Sequence, residues 1–182
     1  MPNWTSNTIH VTGDASAIRE LLAFMRGSDD QTFDFNKIVP MPELLRHTAR
    51  GFHKFGNEQH RTWYVINPDL AFGDPGYEEN ERPFTAEEKA ALAGIGAGSW
   101  YDWSVKNWGT KWNAYRVEFD DFAENDSAVD IRFDTAWCAP LPVFEAIAAK
   151  FQHLTFGFAW TDEDEPGISH CIVAHGGQGG AQ

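Results

Sequence analysis

The strict alternation in Val129-Asp130-Ile131-Arg132-Phe133-Asp134 constrains this chain most, because only a half-buried strand puts every second residue on one face. Three other segments repeat the pattern. Asn7, Ile9 and Val11 alternate with Thr8, His10 and Thr12. In Tyr115-Arg116-Val117-Glu118-Phe119 the Tyr, Val and Phe are expected on one face. Leu154 to Trp160 supplies the last strand. Two stretches switch to helical spacing. After Gly13, Asp14 is the expected N-cap of a helix to about Met25, with Ile18, Leu21, Leu22 and Met25 on one stripe and Gly27 at C′. Pro142 opens a second helix, striped by Leu141, Phe144, Ala148 and Phe151. Glu124-Asn125-Asp126-Ser127 makes the turn between the second and third strands.

The order is therefore β-α-β-β-α-β with a long insert after the first helix. That is the ferredoxin-like, split-βαβ plan: an α+β antiparallel sheet with two helices on one face. Residues 1–160 are expected to form one such domain, with the insert at about 33–103, and 161–182 an acidic, Gly-rich extension. Within the insert, Thr85-Ala86-Glu87-Glu88 has the form of a capping box. The 182 residues suffice for one buried core.

Four ordered blocks carry a resemblance. They are Met1-Pro2-Asn3-Trp4; Phe33-Asp34-Phe35-Asn36-Lys37-Ile38-Val39-Pro40-Met41-Pro42; Trp100-Tyr101-Asp102-Trp103 followed by Asn107-Trp108-Gly109-Thr110-Lys111-Trp112-Asn113; and Phe133-Asp134-Thr135-Ala136-Trp137 with Pro140-Leu141-Pro142. Together they resemble the YubB-type ferredoxin-like proteins of unknown function, carried by phages and plasmids. The resemblance implies the same fold and a mobile-element origin, and supplies no catalytic residues.

Charge narrows the function. Acids number 27 and bases 14, a net −13, and residues 121–182 hold only Arg132 and Lys150 as bases. Polyanion binding draws on clustered Lys and Arg, so direct nucleic-acid binding is disfavoured. Stacking on RNA is disfavoured too, because the alternation points the strand aromatics at the helices. No run is long and apolar enough for a membrane span, the start has no secretory pattern, and two cysteines make no disulfide scaffold. A cytoplasmic address is expected.

The candidate binding residues are Tyr101, Trp103, Asn107, Trp108, Lys111, Trp112 and Trp137. Trp108, Lys111 and Trp112 lie three and four apart, so one helical turn would set the ammonium against an indole. The competing reading has these indoles as packing residues with their N–H groups bonded to backbone. Asp130, Asp134, Asp162, Glu163, Asp164 and Glu165 form the expected acidic surface. His47, His53 and His60 lack metal-pair spacing, and His170-Cys171 with His175 completes no structural zinc set, so no metal or cofactor is expected. Gly94 to Gly98 follows a helix and lacks a Lys-Ser/Thr pair, so it reads as a helix stop. No nucleophile arrangement is present in local sequence.

The expectation is a non-enzymatic, acidic protein-binding module that docks on a host or phage protein, a nucleic-acid-binding defence protein in its sharper form. The clustered carboxylates would then imitate DNA phosphates, as in anti-restriction or anti-CRISPR inhibitors. The alternative is a small enzyme or ligand-binding protein with Lys111, Asp102 and Asn107 around a pocket between insert and sheet. A closed pocket favours the enzyme and an exposed cluster favours docking.

Overall fold

The structure is a computed structural model that describes residues 3–28, 31–70, 75–76, 79–123, 125–165 and 169–174. Two compact units divide the chain: Met1–Pro40 with Asn107–Gln182, and Met41–Lys106. The first holds a five-stranded antiparallel sheet in the order β5-β6-β1-β7-β8. Its strands are β1 (Trp4–Thr12), β5 (Tyr115–Phe119), β6 (Ala128–Ala136), β7 (Thr155–Asp162) and β8 (His170–Ala174). Without β8, the order is that of the ferredoxin-like plan.

Alternation sets the layers. Ile9 and Val11 pair with Ile131 and Val129 on one side and with Phe158 and Phe156 on the other, and all six are buried. Over this face lie α1 (Ala15–Met25), α2 (Phe35–Ile38) and α6 (Leu141–Lys150). Asp14 caps α1 by accepting from Ser16 N, and Ile18, Leu21 and Met25 are fully buried beneath it. Phe33 and Phe133 meet edge to face at 4.9 Å, and Phe144 stacks on Phe158 at 4.4 Å. Asn7 shares the buried face because its Nδ2 donates to Thr135 Oγ1 and to the Thr5 carbonyl, both at 2.9 Å.

Several local expectations change. Gly27 does not take the left-handed C′ conformation. Arg26 ends α1 in extended backbone, and Gly27 is small because a Cβ there would stand 2.9 Å from Asp34 Cβ. The buried stripe of α6 is Val143, Phe144 and Ile147, while Leu141 at its first position is exposed. Tyr115 does not share a face with Phe119. A bulge lies between Tyr115 and Glu118, with Arg116 at φ +50°, so Tyr115 pairs with Asp134 on the face away from the helices. Beyond Trp160, β7 continues to Asp162 and β8 adds a fifth strand from Cys171, Ile172 and Val173, a β-prone run that the acidic neighbours conceal.

The second unit contains α3 (Glu43–Arg46), β2 (Thr48–Phe55), β3 (Glu58–Val65), β4 (Glu81–Arg82), α4 (Ala86–Ile95) and most of α5 (Trp100–Asn107), with a three-stranded sheet β2-β3-β4. The Thr85–Glu88 capping box forms with both reciprocal bonds, and Gly96 at φ +74° ends α4 as a left-handed cap. Among the described residues, no helix is long and apolar enough to cross a membrane.

Candidate functional site

The site is built from the ends of β1, β5 and β6 and the turn at residues 108–114. That turn is not helical, so Trp108 and Trp112 diverge. Trp108 is buried, its Nε1 donating to the Val39 carbonyl at 2.8 Å and its ring meeting Phe35 edge to face at 5.8 Å. Trp108 is thus a packing residue. Gly109 turns the chain outward at φ +81°, where a Cβ would fall 2.8 Å from Pro142 Cδ.

Past this turn the aromatics surface. Trp112, Trp137 and Tyr115 are 39%, 43% and 51% exposed. Lys111 Nζ lies 4.4 Å from the Trp112 ring centre and 5.0 Å from that of Trp137. Trp4 stands 6.3 Å from Trp112 and stacks on Tyr115 at 5.2 Å. The Arg116 guanidinium sits 5.2 Å from Tyr115 and 5.8 Å from Trp4. The result is a ladder of four rings and two cations on one exposed surface. Arg116 and Trp137 are the two described non-glycine residues with positive φ, at +50° and +75°. Such conformations cost about 1–3 kcal/mol each and gather where a surface is shaped for use.

Carboxylates meet the ladder at Trp4. A groove of about 580 Å³ is lined there by Trp4, Ser6, Arg116, Asp134, Asp162 and Glu163, with Thr161 at its side. Asp134 accepts from Ser6 Oγ at 3.0 Å and from Arg116 Nη1 at 3.4 Å. Asp162 accepts from Thr5 Oγ1 at 2.6 Å, and Glu163 from the Trp4 main-chain N at 2.9 Å. Asp164 accepts from Asn3 Nδ2, beside the groove.

The expected residues thus sort into groups. Lys111, Trp112 and Trp137 come together, as do Asp134, Asp162, Glu163 and Asp164. Asp130 stands apart, four residues and about 13 Å along β6 from Asp134. It pairs with His10 Nδ1 at 2.5 Å and with Arg132 at 3.4 Å. Arg132 also bonds Asp120 at 2.6 Å and holds that carboxyl below the usual carboxylate range. Tyr101 and Trp103 belong to the other unit, where Arg50 lies over the Tyr101 ring at 4.8 Å and Trp103 is buried. Asn107 is half-buried at the end of α5. Asp102 bonds Arg50 and Ser99 Oγ within its own unit. Tyr115 and Arg116 leave no sign in the sequence because a bulge gives no signal in hydrophobic spacing, and Trp4 stands just ahead of the alternating run of β1.

The histidines also find places. His47 stacks on Tyr64, and His53 and His60 are cross-strand partners on β2 and β3. Among the described residues, Asp162, Glu165 and His170 bring one ligand atom each within 4.8 Å, and His175 lies outside the described residues. Exposed groups of this kind commonly stand together without an ion, and nothing else at the cluster points to one.

Residues 108–168 match the family described as the ferredoxin-like domain in Api92-like protein. The matched stretch runs through β5, β6, α6 and β7 and includes Lys111, Trp112, Tyr115 and Trp137. A crystal structure of the protein Api92 from Yersinia pseudotuberculosis is similar over 100% of this chain and 99% of that one, at 10% identity and a TM-score of 0.50. At that identity the likeness speaks for the fold alone. No curated protein matches the chain.

Proposed function

We propose that the chain is a protein-binding module of a phage or plasmid, the origin implied by its YubB resemblance, and that it docks on a host or phage protein and modulates it. The observation that carries this reading is the exposed ladder Trp4–Trp112–Tyr115–Trp137 with Lys111 and Arg116 between its rings. Large aromatics with interleaved cations are what interface hot spots are made of, since they bury much area at low entropic cost. The surface is open, which suits docking better than chemistry in a closed pocket. Trp4 and Tyr115 do lie on the sheet face that RNA-recognition modules of similar topology use for stacking. Asp134 and Glu163 stand beside them, however, and would repel a phosphate backbone.

The partner that fits is a basic one. A net charge of −13 steers the chain toward a positive surface, and nucleic-acid-binding proteins of host defence carry such surfaces. Occupying one would block the nucleic acid, the action of an anti-restriction or anti-CRISPR inhibitor. The test is capture from bacterial lysate with wild type and a Trp112→Ala/Tyr115→Ala variant, folding being checked by circular dichroism. A partner held by wild type, lost by the variant and released between about 0.1 M and about 0.5 M salt supports the reading. Equal capture by both proteins overturns it.

A further inference from the structure

We infer that β8 is a dimer interface: its free edge pairs antiparallel with β8 of a second copy of this chain, about a twofold axis at Ile172. The inference goes beyond the docking reading and uses the other end of the sheet. The two edge strands differ. β5 is guarded, because a bulge interrupts its pairing, Arg116 takes a positive φ, and Arg116 and Glu118 place charge along it. Such devices keep an edge strand from templating another. β8 has none of them. Its register with β7 runs unbroken from Trp160↔His170 to Phe156↔Ala174, and His-Cys-Ile-Val-Ala holds no Lys, Arg, Asp, Glu or Pro. Ile172, partner of buried Phe158, and Val173, partner of Gly157, lie on opposite faces and are both exposed. Among the described residues no strand pairs with the outer side of β8.

Symmetry, charge and composition select a second copy as the occupant. Pairing about Ile172 sets that residue against itself, Cys171 against Val173 and His170 against Ala174, so apolar groups meet and no carboxylates do. His170 is already held within its own chain, stacked on Trp160 at 5.2 Å. The antiparallel sense sends the two acidic runs, residues 162–165 of each copy, to opposite ends of the shared ladder, so two chains of charge −13 can approach there. Because β5 is guarded, association closes at two copies instead of propagating. The chain after β8, His175 to Gln182, has four glycines in eight residues and no β-branched or aromatic side chain, a composition ill suited to a covering strand. Five residues a side bury less than the ~1,200 Å² of a lasting interface, so the dimer is a weak one. Tyr115 and Arg116, on β5, stay free in it.

Sedimentation velocity of the full chain tests this. Wild type should pass from monomer toward dimer between about 1 µM and about 200 µM. The shift should be larger at about 0.5 M salt than at about 0.1 M, because salt screens the repulsion between two acidic chains. Ile172→Lys sets like charges opposite each other at the axis and should leave monomer at every concentration, with an unchanged circular dichroism spectrum. Val173→Lys guards the edge from a more exposed position and should do the same, which covers a first variant that fails to fold. In a Cys138→Ser/Cys171→Ser background, Ile172→Cys should form a covalent dimer on oxidation, since directly opposed Cα atoms stand about 4.5–5.5 Å apart. A wild type that stays monomeric throughout, a dimer that survives in either folded lysine variant, or a dimer that Ile172→Cys does not cross-link overturns the inference. The docking reading stands or falls separately, on capture through Trp112 and Tyr115, which the lysine variants leave untouched.

Discussion

The two compact units solve the same problem with different means. The sheet unit, Met1–Pro40 with Asn107–Gln182, buries its apolar face outright: Ile9, Val11, Ile131, Phe133, Phe144, Phe156 and Phe158 are all essentially inaccessible. Among the described residues of Met41–Lys106, one large side chain, Leu45, is fully buried, and Phe52 is 70% exposed. That unit relies on polar devices instead: the Thr85–Glu88 box, the Arg82–Glu88 pair, and Thr48, whose hydroxyl donates to the Leu45 carbonyl and accepts from Trp100 N. Among the described residues, two of its buried nitrogens, Trp63 Nε1 and His60 Nε2, have no hydrogen-bond partner. Charge divides as unevenly. The sheet unit carries 17 acids against 7 bases and the smaller unit 10 against 7. A deep core can tolerate a repelling, functional surface; a thin one has to be tied down by caps and pairs.

The largest effect expected from that contrast is in the two cores. Phe133→Ala removes a ring packed against Phe33, Phe35 and Phe144 and should cost about 3–5 kcal/mol by chemical denaturation. Leu92→Ala, under the shallower packing of α4, should cost about 2 kcal/mol. Hydrogen exchange should show Met41–Lys106 opening at lower free energy than the central strands. Equal costs with uniform protection would mean that the units share one cooperative core and would break the comparison.

That contrast also explains what was legible in the sequence. The sheet unit could be read because burial on one face forces period-2 spacing: Asn7, Ile9 and Val11 register with Phe133, Ile131 and Val129. The hairpin of β2 and β3 could not. Arg50, Lys54, Glu58 and Arg61 interrupt its pattern, and a bulge between Arg50 and His53 shifts its phase. The capping box was legible because two bonds three residues apart have a local signature. The site was only half legible. Lys111, Trp112 and Trp137 are conspicuous in composition, and the acids at 162–164 are a visible run. What joins them is Trp4 at the start of β1 and a positive φ at Arg116, and no spacing rule reports either.

A smaller effect separates the caps. Thr85→Ala removes the hydroxyl that accepts from Glu88 N and should lower the stability of Met41–Lys106 by about 1 kcal/mol. Thr85→Ser should restore most of it. Exchange rates of the α4 amides give the readout, and the amides of β1 and β6 should stay unchanged. Equal acceleration in both regions would show that α4 reports on the whole chain.

The smallest effect is a pH dependence confined to the same corner. Hydrogen bonds from Arg82, outweighing the cost of burial, hold the Glu88 carboxyl down to about 2 from an ordinary 4.5, with the Thr85 N–H helping. The folded value is the lower one, so the carboxylate's contribution is complete above pH 4.5 and disappears as the pH falls from there toward 2. The pair is partly open to solvent, with 36% of Arg82 and 19% of Glu88 accessible, so screening limits the loss to about 1 kcal/mol. Glu88→Gln removes the titration, and its α4 amides should exchange with the same protection at pH 5 and at pH 3. The sheet unit has its own pair, in which Arg132 holds the Asp120 carboxyl below the usual carboxylate range on a more exposed surface. If acid loosens β5 and β6 as much as α4 in wild type, exposure has not weakened the Asp120 pair as argued, and the division between a core-held unit and a pair-held unit fails at its finest point.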